Sequence, residues 1–359
     1  MEIGIIGLPK SGKTTLFNAL TAGKADIGIY TAAGPNVGVA KVPDPRLEAL
    51  NEMFQPKRKI PAEVKYIDVA ALTKRELGSE LLAHLSQADG LLHVVRAFED
   101  EKVPHSESSI DPERDVKMVE LELTLSDLSI LEKRLQKIEA SLKGAKPHER
   151  DSFSREQALL GRLKNALESE VPIREQELSE EEKKTISGYQ FLSAKPLLVV
   201  FNIGEEGLPQ AGSLEDEWRK KYHRPHLELA ALCGKLEMEL AQLDEADARE
   251  FRSDMGIAET ALNRIIKLSY DLLGLISFFT VVSDEVKAWT IRRDTTAEQA
   301  AGKIHSDMER GFIRAEVIGY EDLVKCGSIA EGRKKGLLHT EGKSYVVEDG
   351  DVITFLFNI

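Results

Sequence analysis

The sequence predicts an α/β fold of the P-loop NTPase (G-domain) class, with an inserted antiparallel coiled-coil hairpin and a C-terminal ubiquitin-like α+β domain. Three observations carry this. A short apolar run at the N-terminus leads through a glycine-bearing loop into an amphipathic helix. Leucines then recur at intervals of three and four over a long central stretch that is broken once. Beyond Leu275 the pattern changes to short strand-like runs around one helical stretch.

Residues 2–7 form the first strand, and the helix that opens at Thr14 carries Leu16, Phe17 and Leu20 on one side. Residues 64–69 (VKYIDV), 90–95 (GLLHVV) and 196–202 (PLLVVFN) are further apolar runs separated by helical stretches. They are continuous rather than alternating, as parallel strands covered on both faces require. Leu121, Leu125, Leu128, Leu131, Leu135, Ile138 and Leu142 form a helical stripe flanked by Glu132, Lys133 and Arg134. Residues 144–147 break it, and Leu160, Leu163, Leu167 and Val171 resume it, which predicts two antiparallel helices packed stripe to stripe. The acidic residues 175–182 are expected as a solvated linker. In the C-terminal part, strands are expected at 278–282, 286–290, 314–318, 345–347 and 352–357, with a helix over 297–311. Residues 348–351 (EDGD) are expected to turn a terminal hairpin. The domains expected are therefore 1–112 with 196–275, an inserted arm at 113–195, and 276–359.

Composition excludes several classes. Of 359 residues 42% are hydrophobic and 30% charged, which rules out wholesale disorder. The longest apolar run, residues 272–282, is too short to span a bilayer, so no membrane segment is expected. Glu2 and the Gly-Leu-Pro-Lys interruption do not suit an export signal. The two cysteines, Cys233 and Cys326, lie far apart, which predicts a cytoplasmic setting without disulfides or zinc. With 48 basic against 61 acidic residues, a net of −13, the chain is unsuited to coating nucleic acid, and any RNA contact needs a local patch. No DNA sequence specificity is expected.

The chemistry sits in Gly7-Leu8-Pro9-Lys10-Ser11-Gly12-Lys13-Thr14, a GxxxxGK[ST] loop between strand and helix. Gly7 and Gly12 let the backbone curl so that its N–H groups face phosphate, and the helix adds its positive end. Lys13 would bridge the β- and γ-phosphates while the Thr14 hydroxyl ligates Mg²⁺. Thr31 is placed to close on Mg²⁺ and the γ-phosphate, and Asp68, at the end of a buried strand, to hold Mg²⁺ through water. Asn202, Ile203, Gly204 and Glu205 follow the fourth strand, where GTPases read guanine with Asn-Lys-x-Asp.

Longer segments resemble one family. GLPKSGKTTLFNAL at 7–20, PNVGVAKVPDPRL at 35–47, EVKAWTIRRDTTAEQAAGKIHSDMERGFIRAEV at 285–317 and the closing EGKSYVVEDGDVITFLFNI are similar to the YchF or Obg-like ATPases, a branch of the translation-factor GTPases. The resemblance covers nearly the whole chain. It implies ATP hydrolysis, a C-terminal TGS domain, and association with the ribosome or rRNA through that domain and the coiled-coil arm. It also implies that His105 assists catalysis. The predicted nucleotide-binding set is Gly7, Pro9, Lys10, Ser11, Gly12, Lys13, Thr14, Thr15, Asn202, Ile203, Glu205, Cys233 and Gly234, with Thr14, Thr31 and Asp68 at the metal and Lys13, Thr31 and His105 catalytic. Phosphate-contacting positions for RNA are expected at Arg292, Arg293, Arg310, Arg314, Lys334 and Lys335.

The chain departs from the family pattern in places. Lys10 stands where asparagine helps to hold potassium in family members, and an ammonium has only donors, so potassium dependence is expected to be absent. Ala71 replaces the switch glycine and residues 73–78 are a shortened segment, while Leu72, at a position hydrophobic in the family too, cannot polarise a water as the glutamine of many GTPases does. Ile203 and Glu205 weaken guanine reading, which favours ATP over GTP. The expected function is slow, Mg²⁺-dependent hydrolysis of ATP, with GTP as the other candidate substrate, in which nucleotide state controls ribosome or RNA association. The alternative is a nucleotide-sensing binding protein with negligible turnover.

Overall fold

The computed structural model describes residues 1–21, 23, 35–69, 79–101, 103, 109–144, 146–243, 247–248, 250–251, 260–282 and 284–358. The chain divides into two compact units, Met1–Gly38 with Lys65–Leu262 and Val39–Val64 with Asn263–Ile359. That division differs from the expected domains in keeping the arm with the nucleotide fold and in giving residues 39–64 to the C-terminal unit.

The first unit is built on a sheet of strand order β2-β4-β1-β5-β6-β7. Its strands are β1 (Glu2–Ile6), β2 (Asn36–Lys41), β4 (Glu63–Asp68), β5 (Gly90–Ala97), β6 (Leu197–Ile203) and β7 (Leu227–Leu232). β1 pairs in parallel with β4 and β5, and β5, β6 and β7 follow in parallel. The four continuous apolar runs are thus four adjacent strands, and every residue of β6 is buried. β2 and β7 were not foreseen: Asn36-Val-Gly-Val-Ala-Lys and Leu-Glu-Leu-Ala-Ala-Leu are short runs broken by Gly38 and Glu228. Because β4, β1, β5, β6 and β7 run the same way, their C-terminal ends share one sheet edge. An open parallel sheet places its ligand site at that edge.

The arm consists of α4 (Pro112–Leu142) and α5 (Pro147–Glu168). Asp111 caps α4 by accepting the Arg114 N–H, and Pro112 suits the first turn, where its missing N–H costs nothing. Arg134 pairs with Glu156, and Glu132 with the later Lys164, so the helices run antiparallel. Leu131, Ile138, Leu160, Leu163 and Leu167 are buried at the seam. Leu121 and Leu125 are about half exposed, so the stripe is not wholly consumed by the hairpin. Residues 175–182 are half-buried to exposed, as a solvated stretch would be, but Glu175 turns into a cluster of charges. Arg174, with its side chain 1% exposed, pairs with Glu120, while Arg224 bridges Glu120 and Glu175. Ser179 and Glu182 then cap helix α6 (Glu180–Ile186) reciprocally. Asp127 on α4 accepts the N–H groups of Leu192 and Ser193 at 2.9 and 2.7 Å, and burial lifts its pKa to about 6.

The second unit holds a sheet of order β11-β10-β12-β8-β9-β3. β8 (Leu275–Val282) and β9 (Glu285–Arg292) form an antiparallel pair, and β10 (Phe312–Gly319) is antiparallel to β12 (Asp351–Phe357) and to the short β11 (His339–Glu341). β12 runs parallel to β8. The expected terminal hairpin is absent among the described residues: near 345–347 only the bridge Thr296↔Val346 forms. Residues 348–351 are tied instead by Asp351, whose carboxylate accepts the Glu348 N–H and the Tyr345 hydroxyl. The expected helix over 297–311 is two, Ala297–Ile304 and Ser306–Arg310, because His305 takes an extended backbone. An unforeseen edge strand, β3 (Arg58–Ile60), adds in parallel to β9. It comes from the 39–64 segment, which also contributes helix α2 (Pro45–Phe54). The Arg46 guanidinium holds that segment in place, pairing with Asp44 at 2.8 Å and Asp349 at 2.9 Å above the Phe279 ring.

Among the described residues no helix is long and apolar enough to cross a membrane. For the arm, Leu163→Ala should destabilise the hairpin by about 2–5 kcal/mol, because its side chain is fully buried. Leu121→Ala, half exposed, should change it by less than about 0.5 kcal/mol. Amide hydrogen exchange across α4 and α5 reads both.

Candidate functional site

The loop between β1 and helix α1 (Lys13–Thr21) turns on two positions that sequence alone identifies. Gly12 has φ +96, and a Cβ there would lie 2.2 Å from the Asn202 side-chain nitrogen. Gly7 has φ +149, and its Cβ would lie 2.4 Å from the Val94 carbonyl. Only glycine allows both the backbone and the close approach. Lys10 also sits in the left-handed region, at φ 63. It has no ion pair among the described residues.

Asn202, at the end of β6, locks three loops together. Its Nδ2 donates to the Ser11 carbonyl at 3.0 Å, and its Oδ1 accepts the Gly234 N–H at 2.9 Å. The loops after β1, β6 and β7 therefore form one edge. Beside them lies a cavity of about 840 Å³. Of the predicted set, Pro9, Lys10, Gly12, Lys13, Thr14, Thr15, Asn202, Ile203, Glu205 and Cys233 line it. Gly7, Ser11 and Gly234 do not line it and instead shape the loops behind those walls. Burial pushes the Cys233 thiol pKa up.

Lys13 is buried, and its Nζ donates to the carbonyls of Gly7 and Leu8 at 3.2 and 3.1 Å. Burial lowers its pKa to about 8, partly opposed by the Asp68 charge. The Thr14 hydroxyl donates to Asp68 Oδ2 at 2.9 Å, and the Asn36 amide reaches the same oxygen at 3.3 Å. Asp68, at the end of β4, is fully buried. A hydroxyl and a carboxylate oxygen side by side next to a lysine are hard donors that fit Mg²⁺, which takes few protein ligands and completes its shell with phosphate and water. Among the described residues no cluster of three acidic, His or Cys side chains offers an all-protein cage. Below this corner the fully buried His93 is held neutral, its pKa lowered to about 3 by burial and then by the Lys13 charge.

Thr31 and His105 lie outside the described residues, as do Ala71 and Leu72. Sequence reasoning missed several residues of the site. Asn36 reaches Asp68 from within the PNVG stretch. Phe98 and Asp100 follow β5 at the same sheet edge, and their place just past a strand end was the available signal. Lys235 and Met238 follow β7, a strand that was itself missed.

A profile described as 50S ribosome-binding GTPase matches residues 2–130. A C-terminal YchF GTPase profile, described as a protein of unknown function (DUF933), matches residues 275–358. The protein of Bacillus subtilis (strain 168) named Ribosome-binding ATPase YchF is 40% identical over 368 residues, spanning 100% of both chains. The chain belongs to the YchF family. The YchF relative of Escherichia coli O157:H7 is 37% identical over 367 residues, covering 100% of this chain and 99% of that one. The solved structure of the Schizosaccharomyces pombe YchF GTPase matches with a TM-score of 0.87 at 32% identity, covering 99% of this chain and 97% of that one. The family assignment and the fold therefore agree over the full length, with a P-loop G domain, a helical insert and a further C-terminal domain.

The Lys13 environment predicts a pH signature. Without phosphate beside it, Lys13 titrates near pH 8, and an adjacent polyphosphate raises that pKa. Triphosphate binding should therefore take up a proton above about pH 8 and weaken as pH rises further, with no uptake at Lys13 near pH 6.5. Calorimetry in buffers of differing ionisation enthalpy reads the uptake, and Lys13→Met should remove it together with most of the affinity.

Proposed function

We propose that this chain is a Mg²⁺-dependent ATPase of slow intrinsic turnover whose nucleotide state controls its association with ribosomes in the cytoplasm. The observation that carries the reading is that Lys13 and Thr14, the latter bonded to Asp68, line one cavity together with Asn202, Ile203 and Glu205. Mg²⁺, when bound, supplies charge neutralisation on the β- and γ-phosphates. Lys13 adds a second positive charge there, and the loop N–H groups orient the phosphate chain so that little rearrangement is needed during cleavage. The relatives named ribosome-binding ATPase support the nucleotide and the partner alike.

Slow turnover follows from Leu72, which has no group to orient a water, and from Ala71, whose methyl restricts a switch that glycine would free. His105 and Thr31 are proposed for water positioning and for closure on the metal. Adenine preference follows from Ile203, where guanine readers carry a lysine, and from the longer Glu205. Ribosome contact is proposed for the C-terminal domain and the arm. Arg310 and Lys334 are engaged by Asp307 and Glu331, which weakens them as RNA contacts.

Hydrolysis measured with and without ribosomes, for ATP and GTP in parallel, tests the reading. ATP should bind better and turn over slowly until ribosomes are added, and a preference for GTP of about tenfold or more would overturn it. Ribosomes that leave both binding and turnover unchanged would overturn the partner. The second reading, a nucleotide sensor without turnover, is favoured by the altered residues 71–78 alone, and single-turnover hydrolysis separates the two.

Lys10 supports one further expectation. Its ammonium, at the cavity wall with no ion pair among the described residues, repels a monovalent cation and substitutes for it. ATP turnover should not change when sodium replaces potassium at constant ionic strength, and Lys10→Asn should introduce potassium dependence.

A further inference from the structure

We infer that Lys235 is a positioning residue for base choice: its ammonium holds one oxygen of the Glu205 carboxylate, which favours a single hydrogen bond from an adenine amino group over the paired contact by which a carboxylate reads guanine. The inference rests on the reading above that the cavity takes an adenine nucleotide. Lys235 Nζ lies 2.9 Å from Glu205 Oε1, and both residues line the cavity. They come from loops after adjacent parallel strands, since Asn202 of β6 is in register with Leu232 of β7. The Asn202–Gly234 hydrogen bond pins those loops together one residue before Lys235, which gives the ion pair a fixed span to bridge.

The two bases differ in what they ask of a carboxylate. Guanine offers its N1–H and 2-amino group side by side and needs two parallel acceptors. Adenine offers one amino group. Lys235 occupies one lone pair of Oε1, so a paired contact to guanine has to share that oxygen with the ammonium, whereas a single contact to adenine can use Oε2 alone. The Gly234 N–H is already donated to Asn202, so it is not offered to a guanine keto oxygen either. In solvent the pair is weak, because the Lys235 and Glu205 side chains are 69% and 54% exposed. A base entering the cavity displaces water from both groups and strengthens the attraction when selection occurs.

The experiment titrates ADP and GDP into the full chain by calorimetry, with wild type, Lys235→Met, Glu205→Gln and the double variant. The ratio of ADP to GDP affinity should fall about tenfold in Lys235→Met, the scale of one well-placed polar contact. The same substitution made in Glu205→Gln should leave the ratio unchanged, because no carboxylate remains to be positioned. Lys235→Gln, which can still donate, should give an intermediate ratio and provides a second route if the methionine variant does not fold. An unchanged ratio in both Lys235 variants, or an equal shift with and without the Glu205 carboxylate, would overturn the inference. A wild type that favours GDP overturns the adenine reading itself, which distinguishes that failure from failure of Lys235 alone.

Discussion

The Asn202 side chain is the contact on which the nucleotide edge depends. One amide satisfies the Ser11 carbonyl and the Gly234 N–H, so the phosphate-facing loop is tied to the loops that follow β6 and β7. The amide needs room, and Gly12 supplies it: any side chain there would occupy the place of the Asn202 nitrogen. The hydrogen-bonded asparagine thus explains why position 12 carries glycine and how the loops on either side keep a common frame.

Electrostatics at the same edge follow from burial. A lysine withdrawn from water costs free energy that Asp68 only partly returns, so Lys13 is poised to gain a negatively charged neighbour. Neutral His93 beneath it adds no competing positive charge. The oxygen pair of Thr14 and Asp68 completes a corner in which positive charge is favoured, complementary to a phosphate chain with its metal. The carboxylate is held by the Thr14 hydroxyl and the Asn36 amide rather than left to search for a partner.

The second unit has a different organising contact. Arg46 lies in a segment far in sequence from the C-terminal strands, yet its guanidinium joins Asp44 to Asp349 and covers Phe279. The Asp349 carboxylate in turn accepts the Ser277 N–H. Residues 58–60 thus add a strand to a sheet otherwise built from the end of the chain, and the chain leaves the first unit after Gly38 and re-enters it at Lys65.

By itself the sequence determined the features set by local rules. The glycine loop, the continuous apolar strands β1, β4, β5 and β6, and the leucine seam with its break at 144–147 follow from spacing within a few residues, where backbone freedom and burial periodicity act directly. Tertiary structure decided what spacing cannot encode. It placed β7 and hence Lys235 at the cavity, exposed Leu121 and Leu125 despite their place in the stripe, turned Glu175 onto Arg174 and Arg224, and gave β3 to the C-terminal sheet. Each of these depends on a partner distant in sequence. A short strand or a charged residue has no distinctive local preference, and the neighbour that buries or pairs it exists only once the chain has folded.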